Sequence, residues 1–248
     1  MDAKIKKQFI DRWKKYFNSH DLPITFWYSD ETDGEEKVPG TERWKCLIAE
    51  LSKVRKGKSL AFGAEAVTCG GAQRYLGFND KMRPNFEYFL SCGIKGEMEG
   101  ERYIRTPEMV RELMKNQQHF SSHGKYIVFK RWDMLAENDN PQVVIFYATP
   151  DVLSGLFTLA NYDQSEPNST IAPFGSGCGS IIHYPFLEKD KERPHAVIGM
   201  FDPSARPHVS ETELSFSIPM VKFIKMISYM DESFLITGSW KKIQKRIK

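Results

Sequence analysis

The sequence predicts an α+β domain, a central sheet of mixed or largely antiparallel strands with flanking helices. Three observations carry that expectation. Val143 to Ala148 and Lys125 to Trp132 are short runs rich in β-branched and aromatic residues, which suit a pleated, buried surface. Thr106-Pro107-Glu108 and Thr149-Pro150-Asp151 each set threonine, proline and an acid in the order that opens a helix. Strands and helices alternate without a regular βαβ period, which favours α+β over a doubly wound parallel fold. The 248 residues suffice for a sizeable core, and 41% hydrophobic with 27% charged residues excludes a disordered or fibrous chain.

In chain order, Ile5, Phe9, Trp13 and Phe17 recur every four residues, with Lys6, Lys7, Lys14 and Lys15 off that stripe. The spacing predicts an amphipathic helix docked on the core by its apolar side. Leu22 to Tyr28 alternates as a strand does, and Asp30 to Gly40 is an acidic, turn-rich loop. Trp44, Leu47, Ile48, Leu51 and Val54 have helical spacing, stopped at Arg55-Lys56-Gly57. A strand at Ser59 to Phe62 follows, then a short helix opening at Cys69, and another over Pro84 to Ser91 ended by Gly93. Tyr103 to Met114 and Phe146 to Phe157 resemble each other, each a β-type run leading into a helix; shared capping chemistry explains the likeness without a duplication. His195 to Phe201 and Leu214 to Ile218 read as strands, and a helix follows from Val221, with Trp240 and the basic Lys241 to Lys248 at the end. The expected organisation is an N-terminal helix, strand and acidic loop over 1–43, a core over 44–223, and a basic helix over 224–248 docked on that core.

Thirty-five basic residues against 32 acidic give a net charge of +3, too even for nucleic-acid binding by bulk charge. Met1 to Lys7 lacks an apolar signal region, and the longest apolar run, Val143 to Ala148, is too short to span a bilayer; a soluble, cytoplasmic protein is expected. Cys46, Cys69, Cys92 and Cys178 are too few for a disulfide scaffold and include no C-x-x-C pair, so reduced thiols are expected. In that setting the Asn168-Ser169-Thr170 sequon is a coincidence.

The richest candidate site is Ile171 to Ser180, where Gly175, Gly177 and Gly179 alternate with small polar residues around Cys178. Glycine here predicts positive φ or the close approach of another group, so Gly175, Ser176, Gly177, Cys178 and Gly179 are expected to line the principal pocket. A helix starting at Cys178 would direct free amides at a ligand and lower the thiol pKa. Cys69-Gly70-Gly71 repeats that local pattern, and Cys46 flanks the apolar stripe of its helix. Arg206, between Pro203 and Pro207, is a stiffly held guanidinium that suits an anionic ligand or an ion pair with a nearby acid. Asp163 and Asp202 are candidate carboxylates. His119 and His123 have i, i+4 spacing but Phe120 stands where a metalloprotease motif has glutamate, so they read as surface residues. His183 lies five residues beyond Cys178, at an apparent helix end.

Trp44-Lys45-Cys46, Cys69-Gly70-Gly71-Ala72 with Leu76-Gly77, Leu159 to Asp163, Pro173 to Cys178, Ser204 to Pro207 and Leu214 to Pro219 together resemble the uncharacterised ArCR family, domain-of-unknown-function family 169. The resemblance runs from about Trp44 to Phe223. It implies one conserved domain whose cysteine positions are Cys46, Cys69 and Cys178, and it carries no activity. Soft thiolates at those positions suit a metal ion or an iron–sulfur cluster. Three readings stay open at this stage. One is a binding protein that holds a metal, a cluster or a small anionic ligand at the glycine-flanked cysteines, with Arg206 as anchor. Another is an enzyme with Cys178 as nucleophile or redox thiol. The third is a nucleic-acid or membrane-surface adaptor acting through the basic terminal helices.

Overall fold

The computed structural model describes residues 1–18, 20–32 and 34–247. Asp33 of the predicted acidic loop and Lys248 of the basic end lie outside the described residues, as does Ser19. The fold is an eight-stranded mixed sheet covered by helices on both faces, in agreement with the α+β expectation.

Helix α1 (Ala3–Phe17) opens on Asp2, whose carboxylate accepts the amides of Lys4 and Ile5, and ends at Asn18 in the left-handed conformation. The central strands are β1 (Ile24–Ser29), β4 (Tyr126–Arg131), β5 (Val143–Ala148) and β8 (Leu214–Pro219). They pair antiparallel, as do β3 (Leu60–Gly63) with β4 and β7 (Ala196–Gly199) with β8. At the edges, the two-residue strands β2 (Glu36–Lys37) and β6 (Thr170–Ile171) pair parallel to β3 and β7. The strand order is β2-β3-β4-β1-β5-β8-β7-β6. Because β1 sits in the middle of that order, the first 43 residues share the core of the remainder.

The side-chain period of two divides the apolar residues between two layers. Val128, Val144, Phe146, Phe216 and Ile218 face one layer, where α1 meets α6 (Pro150–Ala160), α8 (Met220–Tyr229) and α9 (Gly238–Gln244). Trp13 stacks on Phe17 with ring centroids 4.2 Å apart, and Trp240 meets Phe17 edge-on at 5.1 Å. Burying each of these aromatics contributes about 1.5–3 kcal/mol, which outweighs helix propensity in fixing both termini. Ile127, Phe129, Val143, Ile145 and Tyr147 face the opposite layer, covered by α2 (Leu47–Arg55), α3 (Gly70–Tyr75) and the helical stretch that runs from Gly177 through α7 (Tyr184–Glu188). Cys46, Cys69 and Cys178 belong to this second layer. Helices α4 (Phe86–Leu90) and α5 (Pro107–Asn116) pack on each other beside it.

The two Thr-Pro segments differ as folded. Thr106 accepts the Met109 amide at the start of α5, with no strand before it, whereas Thr149 follows β5 directly and its hydroxyl makes no capping bond. A repeated β-α unit is therefore absent at this pair.

One contact sets the distance between sheet and second layer. A Cβ built on Gly199 of β7 would lie 2.0 Å from Ser180 Cβ, a backbone-anchored neighbour with no freedom to yield. Ser180 Oγ donates to the Gly177 carbonyl at 2.9 Å and accepts the Met200 amide at 3.2 Å. Gly199→Ala is expected to destabilise the fold by about 1–3 kcal/mol through overpacking, read as a lower midpoint in urea with an unchanged slope. An unchanged midpoint would show that the helix seats itself without this approach.

Candidate functional site

Three chain segments that begin helices meet on the second layer. Cys46 precedes α2, Cys69 precedes α3, and Cys178 lies in the first turn of the helix that starts at Gly177. Thr68 Oγ1 accepts the Lys45 amide at 2.8 Å, which ties the segments carrying Cys46 and Cys69 together. A Cβ on Gly177 would approach Ala205 at 2.7 Å, Met200 Sδ at 3.1 Å and Ile48 in the first turn of α2 at 3.4 Å, so the Cys178 helix start is set against Cys46 and the Asp202 loop. Cys46 and Cys69, both half-buried, pack on the core cluster that contains the buried Cys178.

The electrostatics follow from that placement. Burial pushes the Cys178 thiol well above its ordinary pKa, with neighbouring Cys69, Cys46 and Asp202 adding to the effect. Burial also raises Cys46, more than the nearby amides of Ala49 and Ile48 lower it, and Cys69 and Asp202 raise it further. The expected lowering at a helix start is thus reversed at Cys178: desolvation of the thiolate outweighs the dipole of an irregular helix. The first turns are π-helical over Gly179–His183.

The loop's free donors are also taken. Gly177 donates its amide to Asp202 Oδ2 at 3.2 Å, and Gly179 donates to Ser176 Oγ at 3.3 Å. Asp202, 8% exposed, also accepts the amide and hydroxyl of Ser204. The expectation that these amides face a ligand is corrected by this capping. The glycines need correction too. None of Gly175, Gly177 and Gly179 has positive φ; each is small because a ring or core atom lies against it, Tyr184 at Gly175 and Tyr75 at Gly179. The segment from Pro173 to Ser180 lines neither the cavity around Lys222 nor the one around Cys92, and Tyr184, Tyr75, Ala205 and Met200 lie against its glycines.

Arg206 is engaged as well. Its guanidinium donates to the carbonyls of Glu213, Ser210 (3.1 Å) and Glu211 (2.9 Å), holding the 206–213 turn rather than offering itself to a ligand or an acid. Arg55 clasps the same turn through Glu213 at 2.8 Å. His183 turns away from Cys178: it faces the Gln118 carbonyl at 2.9 Å and stacks on Phe120, and burial lowers its pKa to about 4. His119 and His123 lie on a coil segment and join this aromatic group. Among the described residues, no three His, Cys, Asp or Glu side chains are already set out to hold a metal ion. Cys92 is exposed and remote in the fold's second cavity wall.

Two tyrosines at the site escape sequence reasoning. Tyr147 on β5 is 5% exposed, its hydroxyl has no hydrogen-bond partner among the described residues, and burial raises its pKa against the opposing effect of Arg55. Burial pushes the phenol of Tyr103 up to about 12, with Glu101 and Asp202 beside it. Neither sits in a motif; only the fold brings them to the cysteines. Three exposed aromatics, Trp44, Phe174 and Phe201, follow or precede Cys46, Cys178 and Asp202 within four residues.

Fold and site define a mixed-sheet α+β domain with a thiol-lined junction of helix starts. The chain belongs to the uncharacterised ArCR family, domain of unknown function 169, whose profile matches residues 15–229. That match extends well before Trp44, where the sequence resemblance begins, and takes in β1. No curated protein and no solved structure matches the chain. No helix of the described residues is long and apolar enough to cross a membrane.

A raised thiol pKa has a consequence for stability with a definite sign. Below about pH 8.5 the Cys178 thiol is protonated in both folded and unfolded chains and has no pH-dependent effect. Above it the unfolded chain loses the proton while the folded one keeps it, so stability falls as pH rises. Between pH 8 and 10 the wild type should therefore lose up to about 1.4 kcal/mol more per pH unit than Cys178→Ser, measured by urea unfolding at each pH. Parallel pH profiles for the two proteins would contradict the assignment.

Proposed function

We propose that the protein holds a thiophilic metal centre, a single soft ion or an iron–sulfur cluster, with Cys46, Cys69 and Cys178 as its sulfur ligands. What supports this reading is that Cys46, Cys69 and Cys178, from distant chain segments, pack on one core layer, close enough that Cys69, Cys46 and the buried Asp202 add to the effect of burial on the Cys178 thiol. A buried carboxylate that forms no ion pair among the described residues favours a cationic guest over an anion, and Arg206, which could attract an anion, is occupied by loop carbonyls. Binding a soft cation replaces each S–H bond by a metal–sulfur bond and releases the proton to solvent, and the cation's charge offsets the cost of the thiolates so formed. Cys46 and Cys69 both sit at loop-to-helix junctions, at the N-cap positions of α2 and α3. The unpartnered hydroxyl of Tyr147 is available to a sulfur or to a water on the centre.

The enzyme reading has less support, since a nucleophilic cysteine requires a thiolate and burial keeps Cys178 protonated. The adaptor reading is weaker still. Three basic residues of the termini are paired, Arg12 and Lys15 with Asp231 and Arg246 with Asp151, and the apolar sides of both helices lie in the core.

Anaerobic purification followed by elemental analysis and an absorption spectrum tests the proposal. Near-stoichiometric iron, zinc or copper is expected, reduced at least fivefold in Cys178→Ser and Cys46→Ser and unchanged in Cys92→Ser. A folded wild type that stays metal-free after anaerobic reconstitution with all three metals would overturn it.

A further inference from the structure

A second site lies apart from the cysteines, where α8 meets the turns after α6 and α7. A cavity of about 430 Å³ opens there between residues 163–166, residues 189–194 and the first turns of α8. That volume suits a small metabolite. At its floor is Lys222, only 5% exposed, whose Nζ donates to Ser169 Oγ at 2.6 Å. Ser169 passes its own proton to the Ala160 carbonyl, so it serves the lysine purely as an acceptor. An ammonium has three donors, and a buried one without a counter-charge is costly.

The other cations of the cavity wall have partners: Lys189 with Asp190, Lys191 with Glu188, and Arg193 with Glu166. Lys222 and Lys225 form no ion pair among the described residues, and their i, i+3 spacing puts both on one side of α8 facing the same space. Burial, with Lys225 adding to it, lowers the Lys222 pKa, while Asp163 at the rim acts in the opposite sense. An oxyanion between the two ammonium groups would satisfy the idle donors of Lys222 and relieve the repulsion between the lysines.

We infer that the Lys222–Lys225 cavity is a binding site for the oxyanion of a small carboxylate- or phosphate-bearing metabolite, independent of the cysteine site. Isothermal titration of the full chain with inorganic phosphate, and separately with succinate, tests this and distinguishes the two sources. Saturable binding of at least one probe is expected, weakened at least tenfold by Lys225→Gln and by Lys222→Met and unchanged by Cys178→Ser. Lys225 is exposed, so its variant keeps the test decisive even if Lys222→Met fails to fold. Absence of binding by both probes at millimolar concentration would overturn the inference. Binding that Lys225→Gln leaves intact would do the same.

Discussion

The Asp202 carboxylate is the contact on which the cysteine layer depends. It is buried, forms no ion pair among the described residues, and is held by the Gly177 amide and by both donors of Ser204. Those bonds start the helix that carries Cys178 and fix the loop that carries Arg206. Burial keeps Cys178 and Cys46 protonated, and the nearby Asp202 adds to that effect. The same group therefore builds the site and contributes to its charge state. Arg55 and Arg206 hold the far end of the 202–213 segment, so both ends of the loop are clamped.

The two candidate sites share one piece of chain. The helical run from Gly177 places Cys178 at its start and ends at Glu188, whose carboxylate pairs with Lys191 and accepts from the His195 amide at 3.0 Å. Lys191 is a wall residue of the Lys222 cavity. The helix lies on β7 and β8 through Ser180 and Gly199, contacts that leave little room for it to slide.

Much of the architecture is legible in the residues, because burial on a pleated or helical surface leaves a periodic trace. The stripe Phe9, Trp13 and Phe17 and the β-branched and aromatic runs of β4 and β5 carry enough apolar mass to be read directly. Strands β2 and β6 have two residues each, too few for any period, and exist because a neighbouring strand offers an edge. The glycines were legible as a place of close approach but not as to what approaches. Tyr184, Tyr75 and Ala205 come from other turns and other segments, and they occupy the space that a ligand was expected to fill. The placement of the three cysteines in one layer shows in the sequence only through the family pattern, since no spacing links positions 46, 69 and 178. Lys222 and Tyr147 left no local signal at all: an isolated lysine or tyrosine acquires meaning from what buries it.

Capture of trivalent arsenic tests the central claim, the convergence of Cys46, Cys69 and Cys178, most directly, because arsenite bonds to as many as three thiols and its retention depends on their sharing one space. Native mass spectrometry of the reduced protein after arsenite treatment should show one arsenic per chain with the loss of three thiol protons, and weak or no retention in Cys69→Ser. Retention undiminished in Cys69→Ser and Cys178→Ser, or no retention by the wild type under reducing conditions, would show that the three thiols do not form one site.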